Sequence, residues 1–535
     1  MGKLMLFDDK ARQKLHDGVE KLAAAVRITM GPRGRNVVLE KIYGSPTIIN
    51  DGVTIAREIV LDDPYENLGA QLVKEVAGKT NDNAGDGTTT ATVLTHEIFK
   101  EGLKHSNTGN SPIHIKRGME KAVAAVVGAL KDMSKKVAKK QEIAQVATIS
   151  ANNDPEIGNM IADAFEKVGR DGVVTIEESK TSETTVETTD GMQFDNGFMS
   201  PYFITNVESL SAVYDDCKIL LSMDKLDSVE DIIPVIKAMK QSSRALLIIA
   251  DGVSGDVLNI LVQNKLQIGV KVVVSQAPGY GDSRKELLFD LAALVGAKII
   301  SKTAGVVLKG AKLDDILGEA KKVTVERLTT TIVEGRGFED ELTARKATLK
   351  KQIEGAPSYD IDKLRERLSK LTGGVAVISV GAATETEMNE KKLRVEDALN
   401  ATRAAVAEGI VPGGGVALIR ARKAIKDLDL STEERIGADI IYKAVASPLF
   451  QIAKNAGLSG DVEVDKVERL EGSHGLNAAN GKYEDLIAAG VIDPTKVTRC
   501  ALENAASIAG LMLTTECLVV QDRKDLKKNH EDMDM

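Results

Sequence analysis

Gly85-Asp86-Gly87-Thr88-Thr89-Thr90, followed by the helical pattern Val93, Leu94, Ile98 and Leu103, concentrates residue types that can hold a phosphate. Glycines let backbone N–H groups approach the anion, a helix N-terminus supplies partial positive charge, and threonine hydroxyls donate further hydrogen bonds. Asp86 can hold Mg2+ against phosphate oxygens, because hard cations favour carboxylates. Taken alone, the same loop can equally be an N-capped turn with no ligand. Other nucleotide motifs fail. Gly78-Lys79-Thr80 has the ending of a P-loop, but Val73 stands where its first glycine is needed. Arg284 and Asp340 break the dinucleotide pattern after Gly279-Tyr280-Gly281 and Gly335-Arg336-Gly337. A second glycine cluster, Gly413-Gly414-Gly415, precedes the helical run Val416 to Ile425. Asp397 falls within a predicted helix from Arg394 to Val406, where a carboxylate aimed at a γ-phosphate could orient an attacking water. A solvated helix acid is the competing reading for that position.

The elements that must position these residues follow from periodicity. Leu15, Val19, Leu22 and Val26 recur at helical spacing from Ala11 to Ile28 and stop at Gly31-Pro32, and helical patterns continue to about residue 132. Residues 401 to 455 and 500 to 517 are again Ala-rich and helical, so the two ends are expected to form one helical domain. The middle differs: Leu246–Ala250, Val270–Ser275 and Ala297–Ser301 are β-prone runs separated by helical Gly255–Gln267 and Arg284–Val295, a parallel α/β unit. Asp190-Gly191 and Gly373-Gly374 flank it, which suggests a hinged insert, with plain turn glycines as the alternative. Ile232, Ile233, Val235, Ile236 and Met239 crowd one helix of the insert. Val257, Leu258, Ile260, Leu261, Val262 and Leu266 crowd another. Each apolar sector is wider than a one-sided helix must bury, so part of it is expected to face a partner; helices sandwiched in a core are the alternative.

Composition narrows the function classes. At 535 residues the chain is too long for one core. Zero Trp and 3% aromatic residues require cores of Ala, Val, Ile and Leu. A net charge of −9 gives no cationic field for nucleic acid or anionic lipid, and no apolar run reaches the roughly 20 residues of a membrane span. Cys217, Cys500 and Cys517 are odd in number and widely spaced, which argues for reduced thiols and a reducing compartment, and no targeting signal is legible. The charged stretch Gln521 to Met535 is expected to be a disordered tail.

Several segments carry a family resemblance: Thr29 to Val38 (TMGPRGRNVV), Asn50-Asp51-Gly52-Val53, Gly85 to Thr90, Ala398 to Val406 (ALNATRAAV), Gly413 to Gly415, and Asp493-Pro494-Thr495-Lys496-Val497. In order and spacing the chain resembles group I chaperonins of the GroEL type, from about residue 3 to about residue 520. The resemblance implies a multi-domain α and α/β chaperonin fold. Its parts would be a mostly helical equatorial ATP-binding domain (1–132 and 408–535), a small α/β intermediate hinge domain (133–189 and 376–407) and an inserted α/β apical domain (190–375).

By the same resemblance, Thr29, Met30, Gly31 and Pro32 with Asp86, Gly87, Thr88, Thr89 and Thr90 would line the phosphates. Gly414, Asn477, Ala478, Ala479 and Asp493 would surround the base and ribose. Asp397 would be the catalytic acid group, assisted by Asp51, and Asp86 the Mg2+ ligand. Phe198, Tyr202, Phe203, Ile233, Ile236, Leu258 and Val262 would bind unfolded polypeptides and the mobile loop of a small GroES-type co-chaperonin. Gly191, Gly373, Gly374 and Gly409 would be hinges. The implied activity is ATP-driven protein folding in heptameric rings stacked as a double ring, with ATP, Mg2+ and K+ as cofactors and no nucleic acid or membrane partner. Asn50 replaces a lysine common in bacterial members, Gln263 an apolar groove residue, and Phe450 and Ser459 a charged pair across the ring-ring interface. Asn480 to Asp485, Arg499-Cys500 and a tail without Gly-Gly-Met repeats look cyanobacterial or plastid, which implies a plastid stroma or cyanobacterial cytoplasm. A passive holding chaperone or scaffold of the same fold is the second reading, motivated by Gln263 and the changed ring contacts. A small-molecule phosphotransferase lacks a legible acceptor pocket.

Overall fold

The computed structural model describes residues 2–40, 46–49, 51–106, 110–137, 139–151, 154–169, 172–179, 181–207, 209–309, 312–355 and 358–521. The chain forms two compact units, Met1–Ile161 with Arg394–Met535, and Ala162–Leu393.

The first unit is mainly helical. The helix Asp8–Arg27 buries Ala11, Leu15, Val19, Leu22 and Val26, the stripe its periodicity predicts. The helix Pro64–Ala84 starts where the Asp63 carboxylate accepts from the N–H groups of Tyr65 and Glu66, with Pro64 in the first turn. With Thr88–Ser106, Pro112–Met133, Thr432–Ala444 and Thr495–Leu513 these helices close over one apolar core whose large members include Phe99, Ile98, Met119 and Leu130.

Three expectations are corrected in this unit. The last helix ends at Leu513 rather than 517, and Cys517–Gln521 is a strand paired antiparallel with Lys3–Phe7, Phe7 opposite Cys517. Alternating Leu518 and Val520 face the core while Val519 faces out, a period of two that helical counting overruns. The stretch to residue 132 also holds a pair of short strands, Val37–Leu39 and Thr47–Ile49. Residues 401 to 455 are interrupted by the strand Ile410–Pro412, paired with Ile492–Pro494, and the run after the glycines is a short helix Val416–Ala421 continued as a 3-10 turn Arg422–Ile425. Residue 50 and residues 522–535 lie outside the described residues, so the ion role of Asn50 and the tail do too.

The second unit contains a seven-stranded mixed sheet in the order Gly191–Asp195, Thr329–Gly335, Gly318–Val325, Ala212–Ser222, Leu246–Ala250, Val272–Gln276, with Ile299–Ile300 beside Ala212–Ser222. Leu246–Ala250 is buried at every position, as a central parallel strand requires. The expected α/β unit is present, but its third strand pairs with Ala212–Ser222 rather than with Val272–Gln276. Ala212–Ser222 was not anticipated, because Asp215, Asp216 and Lys218 interrupt its apolar pattern. A three-stranded sheet has Val375–Val380 between Val173–Glu178 and Thr185–Thr189.

The glycine breaks are crossings of paired chain segments. A Cβ on Gly374 (φ 63°) would lie 2.5 Å from Thr189 O, and one on Gly191 2.5 Å from Val375 Cγ2. Gly373 keeps an ordinary φ. In the first unit Gly409 (φ 85°) lies against Ser134 and Lys135, and Lys135 bridges to Ile410.

Candidate functional site

The Gly-Asp-Gly-Thr loop is built by two glycines with left-handed backbones. Gly85 (φ 73°) ends the helix Pro64–Ala84 and returns its N–H to Asn81 O. Gly87 (φ 84°) then lets the helix Thr88–Ser106 start at once, its first intrahelical bond running from Ala91 N–H to Gly87 O at 2.9 Å. The N–H groups of Thr88, Thr89 and Thr90 precede that bond and are the orphan donors of a helix start.

Neighbouring elements press on the loop. A Cβ on Gly85 would lie 2.7 Å from Asn400 Cβ, and one on Gly87 2.6 Å from Val497 Cγ1. Ala84 packs with Ala404, Val497 and Cys500. The helix Glu385–Glu408, which carries Asp397, and the helix Thr495–Leu513 are thereby brought to the loop. Gly52 meets the loop from another side, where a Cβ would be 2.3 Å from Thr89 Oγ1. It follows Asp51, whose carboxylate caps the helix Gly52–Glu58 by accepting from Val53 N–H at 3.1 Å and Thr54 N–H at 3.0 Å.

Four aspartates thus converge. Asp86, whose Oδ1 accepts from Gly87 N–H, is held above the usual carboxylate range by loss of water and then by the charge of Asp51. Asp397 is pushed up to about 7 by loss of water, then by Asp86, Asp51 and Glu396. Asp493, opposite Val411 in its strand pair, is also pushed up to about 7 by desolvation and by Asp86, against backbone donation from Gly414 and Gly415. Asp86 and Asp397 remain accessible to water although protein surrounds them, as groups lining a recess do. Like charges in a desolvated recess favour a bound cation. Among the described residues no three His, Cys, Asp or Glu side chains stand close enough to hold a metal unaided. A single carboxylate beside a phosphate-binding loop suits Mg2+, which takes one or two carboxylates and completes its shell with phosphate and water.

The turn after the first helix forms a further wall. Gly31 (φ 84°) lies against Ile452, and Met30 packs with Val93, Ile452 and Ala478. Thr29 Oγ1 is turned back to Val26 O at 2.9 Å, and Pro32 is exposed. Gly414 (φ 65°) has only Leu476 O and Val491 near its absent Cβ, at 3.8 and 4.0 Å, leaving open space. Asn477 donates to Glu484 at 2.7 Å and accepts from Ala479 N–H at 3.1 Å, which sets the shape of its loop. The expected ATP-site residues therefore gather within one unit, drawn from both ends of the chain. Arg33 and Asn455, which tie the turn and the loop, were missed; Arg33 stands inside the quoted TMGPRGRNVV segment, while Asn455 carries no sequence signal.

In the second unit, Tyr202 (64% exposed) and Ile233 (37%) offer open apolar surface. Phe198, Leu258 and Val262 are part-buried, and Gln263 is exposed on the helix Gly255–Ile268. Phe203 and Ile236 require correction: they are core residues here, at 0% and 7% exposure. Lys265 Nζ lies 5.9 Å from the Phe203 ring centroid and donates to Ile204 O at 3.1 Å, closing the ring off from water, and Ile236 packs in the same core.

The sequence profile of the TCP-1/cpn60 chaperonin family matches residues 22–523. The chain belongs to the chaperonins. Among solved structures it is similar to the chaperonin gp146 from bacteriophage EL 2 (Pseudomonas aeruginosa), crystallised in the presence of ATP-BeFx. In crystal form II the TM-score is 0.71 at 22% identity, covering 97% of this chain and 99% of that one. Crystal form I gives 0.62 with the same identity and coverage. At that identity the likeness speaks for a shared chaperonin fold.

Proposed function

We propose that this chaperonin is a group I, ring-forming ATPase that binds non-native polypeptides, encloses them with a small co-chaperonin and promotes their folding. The observation that carries the reading is the convergence of Asp51, Asp86, Asp397 and Asp493 on the Gly85–Thr90 loop. Crystallisation of the phage chaperonin in the presence of ATP-BeFx is consistent with it.

On this reading the N–H and hydroxyl groups of Thr88, Thr89 and Thr90 cradle the phosphates. Asp86 holds Mg2+, which when bound neutralises phosphate charge and draws down the raised carboxyls around it. Asp397, ionised, orients a water toward the terminal phosphate, with Asp51 assisting. The Asp397 helix runs from Glu385 to Glu408 and ends at Gly409, so hydrolysis is gated by how that helix stands at the loop. The three-domain division, with Gly191, Gly373, Gly374 and Gly409 as hinges, belongs to the same proposal and is supported by the paired crossings at Gly191/Gly374 and Lys135/Gly409. Tyr202 and Ile233, with the accessible edges of Phe198, Leu258 and Val262, supply the polypeptide-binding surface. The proposed assembly is heptameric rings stacked as a double ring; what supports association itself is the exposed apolar residues Leu4, Met5, Phe7 and Val519 on the terminal ribbon and Val38 and Ile48 on the short strand pair. A cyanobacterial cytoplasm or a plastid stroma is the proposed setting.

The test is refolding of a denatured enzyme that does not refold spontaneously, with and without Mg-ATP and co-chaperonin. The expected outcome is a yield that rises only when both are present. A yield indifferent to ATP would leave a passive holding protein instead.

A further inference from the structure

Asn455 is the last residue of the helix Ser447–Asn455. Its Nδ2 donates to Arg27 O at 2.9 Å, Met30 O at 2.9 Å and Ile28 O at 3.4 Å. Gln451 Nε2 donates to its Oδ1 at 2.7 Å, which fixes the direction of the amide. These carbonyls lie at and just beyond the end of the helix Asp8–Arg27; Arg27 O also accepts from Met30 N–H at 3.3 Å and Ile28 O from Arg35 N–H at 2.8 Å, and the Asn455 amide ties all three to another helix. Beyond the turn, Arg33 donates through one terminal nitrogen to Ala479 O at 3.1 Å and through the other to Ala456 O at 3.5 Å. A guanidinium spans two carbonyls in one planar fork; an ammonium cannot reproduce that geometry. The Met30, Val93, Ile452 and Ala478 cluster lies between these two ties.

We infer that Asn455 and Arg33 are positioning residues that set nucleotide affinity by holding the Thr29–Pro32 turn at a fixed spacing from the Asn477–Ala479 loop before the nucleotide arrives. The inference rests on the proposed reading of this recess as the ATP site. Walls fixed in advance reduce the ordering cost of binding, whereas the hydrolytic step sits on Asp397, in a different helix. Loosening the ties therefore acts on KM and spares kcat.

The experiment is steady-state ATP hydrolysis by the full-length assembly against ATP concentration. The variants are Arg33→Met, Arg33→Lys and Asn455→Ala, with thermal melting followed in parallel. Arg33→Met is expected to raise KM about fivefold and Asn455→Ala about tenfold, each with kcat within about twofold of the parent, and Arg33→Lys, which cannot span both carbonyls, to recover only a small part of the loss. Arg33 is exposed, so its variants keep the fold and the result does not depend on Asn455→Ala alone. An unchanged KM in Arg33→Met, or a fall in kcat at constant KM, would overturn the inference. Failure of the parent protein itself to bind a fluorescent ATP analogue would instead remove the nucleotide reading, so the two failures are distinguishable.

Discussion

At the residue scale, four aspartates around one glycine-threonine loop repel one another and are electrostatically unfavourable without a cation. The ordinary carboxyl value is 3.8, and the folded values for Asp397 and Asp493 are about 7. The folded protein therefore binds more protons between these values. The stability these groups contribute is full below pH 3.8 and is lost as pH rises toward 7. Asp397→Asn removes the charge, so the nucleotide-free variant should be more stable than the parent at pH 8 by roughly 1 kcal/mol, a figure kept small because water reaches the carboxylate. The gain should be smaller at pH 5, and urea unfolding at the two pH values measures it. A second prediction concerns Gly87, whose φ of 84° and contact with Val497 exclude a side chain. Gly87→Ala should cost about 1–3 kcal/mol and weaken ATP binding, read by calorimetric titration. The loop was legible because its residues are contiguous and their chemistry is local. The gathering of Asp51, Asp397 and Asp493 was legible only through the family resemblance, not from local pattern, since it depends on packing of Asn400, Ala404 and Val497 against the loop from distant parts of the chain.

At the element scale, long helices with one apolar stripe and the buried strand Leu246–Ala250 could be read directly. Short strands outside the parallel α/β unit could not, because their partners are remote: Lys3–Phe7 finds Cys517–Gln521, and Ile410–Pro412 finds Ile492–Pro494. Polar residues also hid structure. Asp290, fully buried in the helix Gly281–Val295, is held by Arg345 Nε at 2.6 Å and Arg367 Nε at 2.9 Å, and both arginines also reach Glu286. Removing one partner of a buried ion cluster leaves a charge uncompensated. Arg345→Met should destabilise the seven-stranded unit by about 3 kcal/mol, and Asp290→Asn added to it should restore part of the loss. Hydrogen exchange along Gly281–Val295 would report both, and equal exchange in parent and variant would contradict the assignment.

At the scale of the whole molecule, the terminal ribbon leaves Leu4, Met5, Phe7 and Val519 in water, which a subunit of an assembly can afford better than a monomer. Met5→Glu combined with Val519→Glu should shift native mass from that of the assembled particle toward smaller species built of 57.2 kDa subunits, with secondary structure unchanged by circular dichroism. The family was legible in the order of its motifs across the chain. Which apolar residues of the second unit stay open was not, because Phe203 and Ile236 are as apolar as Tyr202 and Ile233, and only packing separates them. The central claim is that ATP is held at the Gly85–Thr90 loop and hydrolysed through Asp397. Single-turnover hydrolysis of bound ATP by Asp397→Ala addresses it most directly. Nucleotide should be retained with near-parental affinity while turnover falls by at least about a hundredfold, and hydrolysis at the parental rate would contradict the account.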